Sequence, residues 1–161
     1  MTSNPSEGGF QDPLENYDPP EYSDALEKAL AEEPVSSIRS WPVSTVGPGV
    51  TAGEAVRVMS EGDAACLLVV EDGELVGTFS VRDVLNSVSE DFESSREKPL
   101  REVMTKSPTF VYDSDASGAA LSVMAVTGFR HVPVLDSDET VRGIINPQRV
   151  TDFLLKHIGG V

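Results

Sequence analysis

A chain of 161 residues suits one domain or two small units sharing a core, and its 39% hydrophobic content leaves room for a stretch outside that core. The formal charge of −15 is concentrated at the front, where residues 1–34 carry nine acids (Glu7, Asp12, Glu15, Asp18, Glu21, Asp24, Glu27, Glu32, Glu33) against one base, Lys28; such a surface repels phosphate backbones and anionic lipid, which argues against nucleic-acid and membrane partners. No apolar run approaches the ~20 residues of a membrane span, and the opening MTSNPSEGGF has neither the basic start nor the apolar stretch of a secretory signal. The single cysteine, Cys66, excludes an internal disulfide and fits a reducing cytoplasm, where the protein is expected.

In chain order, residues 1–21 are rich in Pro, Gly, Ser and acids and lack an apolar period, so a disordered acidic tail is predicted. Within it Asp18 to Tyr22 read DPPEY, a PPxY form that polyproline-binding domains recognise but that arises readily by chance in such tails. Tyr22, Ala25, Leu26, Ala29 and Leu30 then recur at helical spacing, with Ser23 or Asp24 as cap and Pro34 as stop, which predicts an amphipathic helix over 22–33.

From Pro34 the chain repeats itself. At an offset of 65 residues, without gaps, Pro34 matches Pro99, Val46 matches Val111, Gly53 matches Gly118, Ala55 matches Ala120, Met59 matches Met124 and Val69 matches Val134. One extra residue in the turn SDET then pairs Gly77 with Gly143. Each copy predicts a short strand (43–46; 109–112) and then a helix. Thr51 with Glu54 forms a capping box for the first helix, and Ser114 or Asp115 caps the second. A hairpin follows (66–70 with 75–79; 131–135 with 141–145), then a closing helix from Val81 or from Pro147. The expected organisation is a first unit with linker over 34–98, a second unit over 99–157 and a short tail over 158–161. One such unit is marginal alone, so the two should pack on each other.

REVMTKSPTFV, AALSVM, FRHVPVLD and GIIN in the second copy, with SIRSWPVSTV, EAVRVM, CLLVVED and GTFSVRDVL in the first, resemble the cystathionine-β-synthase (CBS) domain. The resemblance runs from Pro34 to about His157. It implies an α/β (α+β) fold: a tandem pair of β-α-β-β-α units, the Bateman module, packed about a pseudo-twofold axis. It further implies two clefts for adenine nucleotides (AMP, ADP, ATP or S-adenosylmethionine), a regulatory rather than catalytic role, and a homodimer acting on a target protein.

Carried over by position, Gly77, Ser80 and Asp83 match the motif G-hh-[ST]-xx-D, Ser40 and Pro42 precede the first strand, and Arg130 with His131 come from the neighbouring unit. The family assigns the Asp to the ribose hydroxyls, the Ser to phosphate, the residues before the strand to the adenine edge and the basic pair to the phosphates. A carboxylate is a natural acceptor for vicinal hydroxyls, and hydroxyl and Arg suit phosphate. The second unit departs from this, with Asn146 and Arg149 where Ser or Thr and Asp belong, so its cleft, with Thr105 before its strand, is expected to be degenerate. Ser80 and Asp83 also suit a helix cap, a role compatible with ligand contact. Met59, Met124 and Cys66 read as core.

Sharper chemistries find no residues. GPGVTAG has the wrong spacing for a dinucleotide loop, and the other copy replaces it with YDSDASG. Cys66 and His131 occupy equivalent positions in the two copies and His157 stands apart, without metal-ligand spacing or a nucleophile–base pair. The sequence therefore leads to a nucleotide-responsive regulatory module. Its rival is a structural interaction module that binds no ligand and acts through the acidic tail and a dimer face.

Overall fold

Repetition of one apolar pattern should build one core twice, and the computed structural model, which describes residues 17–159, does so with a twist in the connectivity. The elements are α1 (Ala25–Glu32), β1 (Thr45–Val46), α2 (Ala52–Glu61), β2 (Cys66–Glu71), β3 (Glu74–Ser80), α3 (Val81–Asp83), α4 (Phe92–Ser95), α5 (Leu100–Val103), β4 (Thr105–Lys106), β5 (Val111–Tyr112), α6 (Ser117–Thr127), β6 (Val132–Leu135), β7 (Val141–Ile145) and α7 (Pro147–Ile158). One sheet has the order β1-β2-β3-β4 and the other β5-β6-β7. In each, a two-residue strand pairs in parallel with the first arm of an antiparallel hairpin. The mixed α/β class and the duplicated unit expected from the sequence are both present. Residues 1–16 of the expected tail and residues 160–161 lie outside the described residues.

Local signals explain most boundaries. Asp24 caps α1 by accepting the Glu27 N–H, and Thr51 caps α2 through the Glu54 N–H. Asn146 caps α7 with Pro147 in its first turn. Gly128 closes α6 at φ 69°, a left-handed conformation that glycine adopts without strain. Two helices depart from expectation. Neither Ser114 nor Asp115 caps α6: Asp115 instead accepts the Tyr112 N–H. The start of α6 is satisfied from outside, because the N–H and hydroxyl of Ser117 both donate to the Glu33 carbonyl at the end of α1. The closing helix of the first unit is one α turn, α3, continued by a π-helical stretch, Val84–Val88.

The segment that opens each repeat packs into the other repeat. Val35 and Ile38 are buried with Val111, Ala120, Val132, Val134, Ile145 and Phe153 of the second repeat, and Ala29 of α1 joins them. Leu100 and Val103 are buried with Ala52, Ala55, Leu67, Val69 and Phe79 of the first. The exchange is reciprocal: Thr51 bridges Pro99, and Pro34 bridges Ala116, the position equivalent to Thr51. A third core of Cys66, Leu68, Leu135, Val141 and Ile144 joins the two sheets. Hence β2 is apolar without alternation: Leu67 and Val69 face one core while Cys66 and Leu68 face another.

The two motif glycines exist for this crossing. A methyl group at Gly77 would stand 2.9 Å from the Thr105 carbonyl oxygen, and one at Gly143 would stand 2.6 Å from that of Ser40. Only a residue without Cβ lets the crossing segment lie that close.

Candidate functional site

The crossing decides which residues meet. β3 pairs with β4, placing Thr78 opposite Thr105, while Ser40 bridges Ile144 in β7. Thr105, expected in the second cleft, therefore stands in the first. Ser40 and Pro42, expected beside Ser80 and Asp83, belong to the segment lying along the second. The physical reason is the exchange of opening segments, which sequence order does not reveal.

The first cleft opens between the ends of β2 and β3, the start of α3, β4 and the loop that follows α6. It encloses about 390 Å³, within the range of roughly 300–1,000 Å³ typical of small-molecule sites. Ser80, Thr105, Arg130 and His131 all line it. Asp83 sits half-buried behind Ser80 and Thr105. Its Oδ2 accepts the Ser80 N–H at 2.7 Å and the Ser80 hydroxyl at 2.8 Å, and its Oδ1 accepts the Thr105 hydroxyl at 2.7 Å. The carboxylate thus caps the turn and ties it to the crossing strand. A carboxylate offers about four acceptor sites, so three bonds leave it capacity for another donor. Gly77 serves the close strand approach described above.

Sequence reasoning missed several lining groups. Arg82 lies between the two motif residues it recognised, and its Nη2 donates to the Gly128 carbonyl at 3.3 Å, joining α3 to the end of α6. Phe129, Leu85 and Val81 add apolar wall, and Leu85 is 62% exposed. Val81 inside the Ser-x-x-Asp turn and Leu85 just beyond it were the available signal. The cleft also reverses the charge of the chain: Arg82 and Arg130 line it, and no carboxylate is among the lining side chains. His131 has its pKa lowered by burial and then by the charge of Arg130. Burial, with the charge of Asp83 adding to it, pushes the Cys66 thiol up to about 12, so this cysteine is a poor nucleophile.

At the equivalent place in the second repeat Arg149 replaces the carboxylate. Its Nε and Nη2 donate to the carbonyls of Ile38 at 3.3 Å and Arg39 at 3.1 Å. Asn146 spends its side-chain oxygen on the Arg149 N–H. The guanidinium straps the crossing segment where the first cleft uses Asp83 and Thr105. Among the described residues no cluster of three or more His, Cys, Asp or Glu side chains could hold a metal ion, and no helix is long and apolar enough to cross a membrane.

The family model described as CBS domain matches residues 35–90 and again 100–156. The chain belongs to the CBS domain family. An uncharacterized 17.7 kDa protein of Acidianus ambivalens is 32% identical over 123 residues, covering 75% of this chain and 73% of that protein. A CBS domain-containing protein of Arabidopsis thaliana is 32% identical over 111 residues, but the chain spans only 20% of its length. Among solved CBS structures, CBSX2 in complex with AMP has a TM-score of 0.66 at 27% identity, over 76% of this chain and 96% of that one. The CBS domain pair of protein MJ0100, in complex with 5′-methylthioadenosine and S-adenosyl-L-methionine, has a TM-score of 0.68 at 21% identity, over 76% and 96%, a likeness of fold.

Proposed function

We propose that this CBS domain pair is a regulatory module that binds an adenine nucleotide in its first cleft and transmits that event to a partner protein. The observation that carries this reading is the lining of one cleft by Ser80, Thr105, Arg82, Arg130 and His131, with the Asp83 carboxylate bonded to the Ser80 and Thr105 hydroxyls. Asp83 has an acceptor site left for a ribose hydroxyl, and a second hydroxyl can displace Ser80 or Thr105 as donor. The guanidinium groups suit phosphate, and Phe129, Leu85 and Val81 offer apolar surface to a base. The AMP complex of CBSX2 and the adenosyl ligands of the MJ0100 pair support the ligand class. A homodimer belongs to the same reading, supported by the exposure of Val126 on α6 and of Leu155 and Ile158 on α7. Ligand changes the partner's state only by binding one arrangement of the two repeats better than another.

One observation favours a purely structural interaction module. Asp83 already has three internal donors, so the turn is complete without ligand. Calorimetry with AMP, ADP, ATP, S-adenosylmethionine and NAD separates the readings. At least one should bind in the micromolar range; Asp83→Ala should weaken it about a hundredfold or more, as expected for loss of a charged acceptor bonded to two hydroxyls. Arg149→Ala should leave it unchanged. Absence of binding by every ligand, or equal losses in the two variants, refutes a single nucleotide site in the first cleft.

A further inference from the structure

The hairpins of the two repeats end in acidic turns. The turn between β2 and β3 carries Glu71, Asp72 and Glu74, and that between β6 and β7 carries Asp136, Asp138 and Glu139. Asp136 is spent inside its own turn, where it accepts the N–H groups of Asp138 and Thr140 and pairs with Arg142 at 2.7 Å. The other five are exposed, and among the described residues none of them has a basic side chain within ion-pair distance. Glu71 and Glu74 stand opposite each other at the end of their hairpin, a position in which like charges repel. The packing of repeat on repeat brings both turns to one groove. Glu74 and Leu75 of the first, Leu135 and Glu139 of the second, and Pro108 and Phe110 between β4 and β5 line a cavity of about 310 Å³ that no basic side chain lines. Leu75, Pro108 and Phe110 are only half-buried, so the groove holds apolar surface in water beside two carboxylates. It lies at the opposite end of the β2–β3 hairpin from the first cleft, which takes Cys66 and Ser80 from that hairpin.

We propose that this groove docks a partner protein through a basic segment, one apolar side chain filling the cavity beside Glu74 and Glu139 while flanking Lys or Arg side chains meet the acidic turns. Charge complementarity selects this occupant. A second copy of a chain of formal charge −15, or its own residues 1–34 with nine acids against one base, would bring like charge to like charge, and nucleic acid would be repelled. Charges across an interface set partner choice and encounter rate more than affinity, so the buried apolar anchor supplies most of the hold. A basic segment also offsets the repulsion between Glu71 and Glu74 that the hairpin carries alone. The groove is separate from the nucleotide cleft, and each can fail without the other.

The probe is a fluorescein-labelled synthetic peptide with one leucine between runs of lysine and arginine, titrated into the full chain at physiological salt. Anisotropy reads its affinity, and the amide resonances of the chain read its place. It should bind and move the resonances of residues 74–75, 108–110 and 135–139. Serine in place of the leucine should weaken it about tenfold or more, the scale of burying one leucine side chain. Glu74→Lys combined with Glu139→Lys should weaken it about tenfold or more, since like charges then face each other across the interface. Both side chains are exposed, so the melting temperature of this variant should not fall. Glu21→Lys with Glu90→Lys makes the same charge change at exposed sites elsewhere. It should weaken the peptide less than about twofold, because charges beyond about 8 Å are screened at this salt. The titrations contain no nucleotide, so failure of AMP to bind refutes the reading of the first cleft and leaves the groove in place. Equal binding of the leucine and serine peptides would reveal mere attraction of polycations and overturn the proposal. So would no binding at all, equal losses in the two charge-reversed variants, or resonance shifts centred on the first cleft or on α6 and α7. Groove resonances that shift on dilution of the chain alone would put a second copy there instead.

Discussion

The two clefts share a scaffold and differ in polarity. In each, the opening segment of the other repeat lies against a glycine of the second hairpin strand, Gly77 under Thr105 and Gly143 under Ser40. In each, the residue three positions after the helix cap grips that segment. In the first cleft the grip is a carboxylate accepting from a threonine side chain; in the second it is a guanidinium donating to backbone carbonyls. Both satisfy the backbone around the crossing, so both are compatible with folding. Only the first leaves an acceptor for hydroxyl groups. Fold and ligand class are therefore separable here: the crossing demands a polar strap, and the sign of the strap determines what the cleft can hold.

The comparison breaks most sharply at the crossing itself. Leu100 is fully buried in the core of the first repeat although it opens the second. Leu100→Ala should cost about 2–5 kcal/mol, the usual range for a buried leucine. It should also loosen amide-exchange protection in α2 and β2 more than in β6 and β7. Greater loss in the second repeat would refute the exchange of segments.

The glycines come next in size. Gly143→Ala forces a methyl to 2.6 Å from a backbone oxygen, and a loss of about 1–3 kcal/mol is expected in chemical denaturation, as for overpacked sites. Gly77→Ala meets the Met104 sulfur at 2.5 Å and the Thr105 oxygen at 2.9 Å. The thioether can swing aside and the oxygen lies farther off, so the smaller loss belongs to Gly77. Equal losses would mean that the two crossings are equally tight.

How much of this the sequence disclosed follows from what repetition can encode. Gly77 and Gly143, the stripe of Ala55 and Met59 with its counterpart Ala120 and Met124, and the cap Thr51 meet local demands of the repeated fold, and they were legible. The crossing was not, because it is symmetric under the same offset. Val35 and Leu100 are equivalent, as are the pockets that receive them, so packing at home and packing on the neighbour write the same pattern. That ambiguity misplaced Ser40, Pro42 and Thr105, while Ser80, Arg130 and His131, carried by elements that stay in their own repeat, came together in one cleft. β4, two residues long, carries no periodicity of its own. The Ala116 start of α6 leaves no cap signal because its donors are met by Glu33, eighty-odd positions earlier. Long-range satisfaction of a local need leaves no trace at the site itself.

The smallest effect is the pH response of His131, and it also tests what the first cleft holds. Burial and Arg130 keep its folded pKa below the ordinary value of 6.5, so the unfolded chain binds the proton more readily. Stability from this group is present above pH 6.5 and is lost as the pH falls through the lower folded value. Without ligand the melting temperature should decline gently on acidification below 6.5, and His131→Asn should flatten that part of the curve. A nucleotide phosphate beside His131 reverses the balance, because the anion favours the imidazolium. Binding should then take up a proton, seen as a dependence of the calorimetric heat on the ionisation enthalpy of the buffer, and His131→Asn should remove its share of that uptake. Uptake that persists undiminished in the variant would place the phosphate away from His131 and leave Arg82 and Arg130, among the described residues, as the basic groups of the first cleft to receive it.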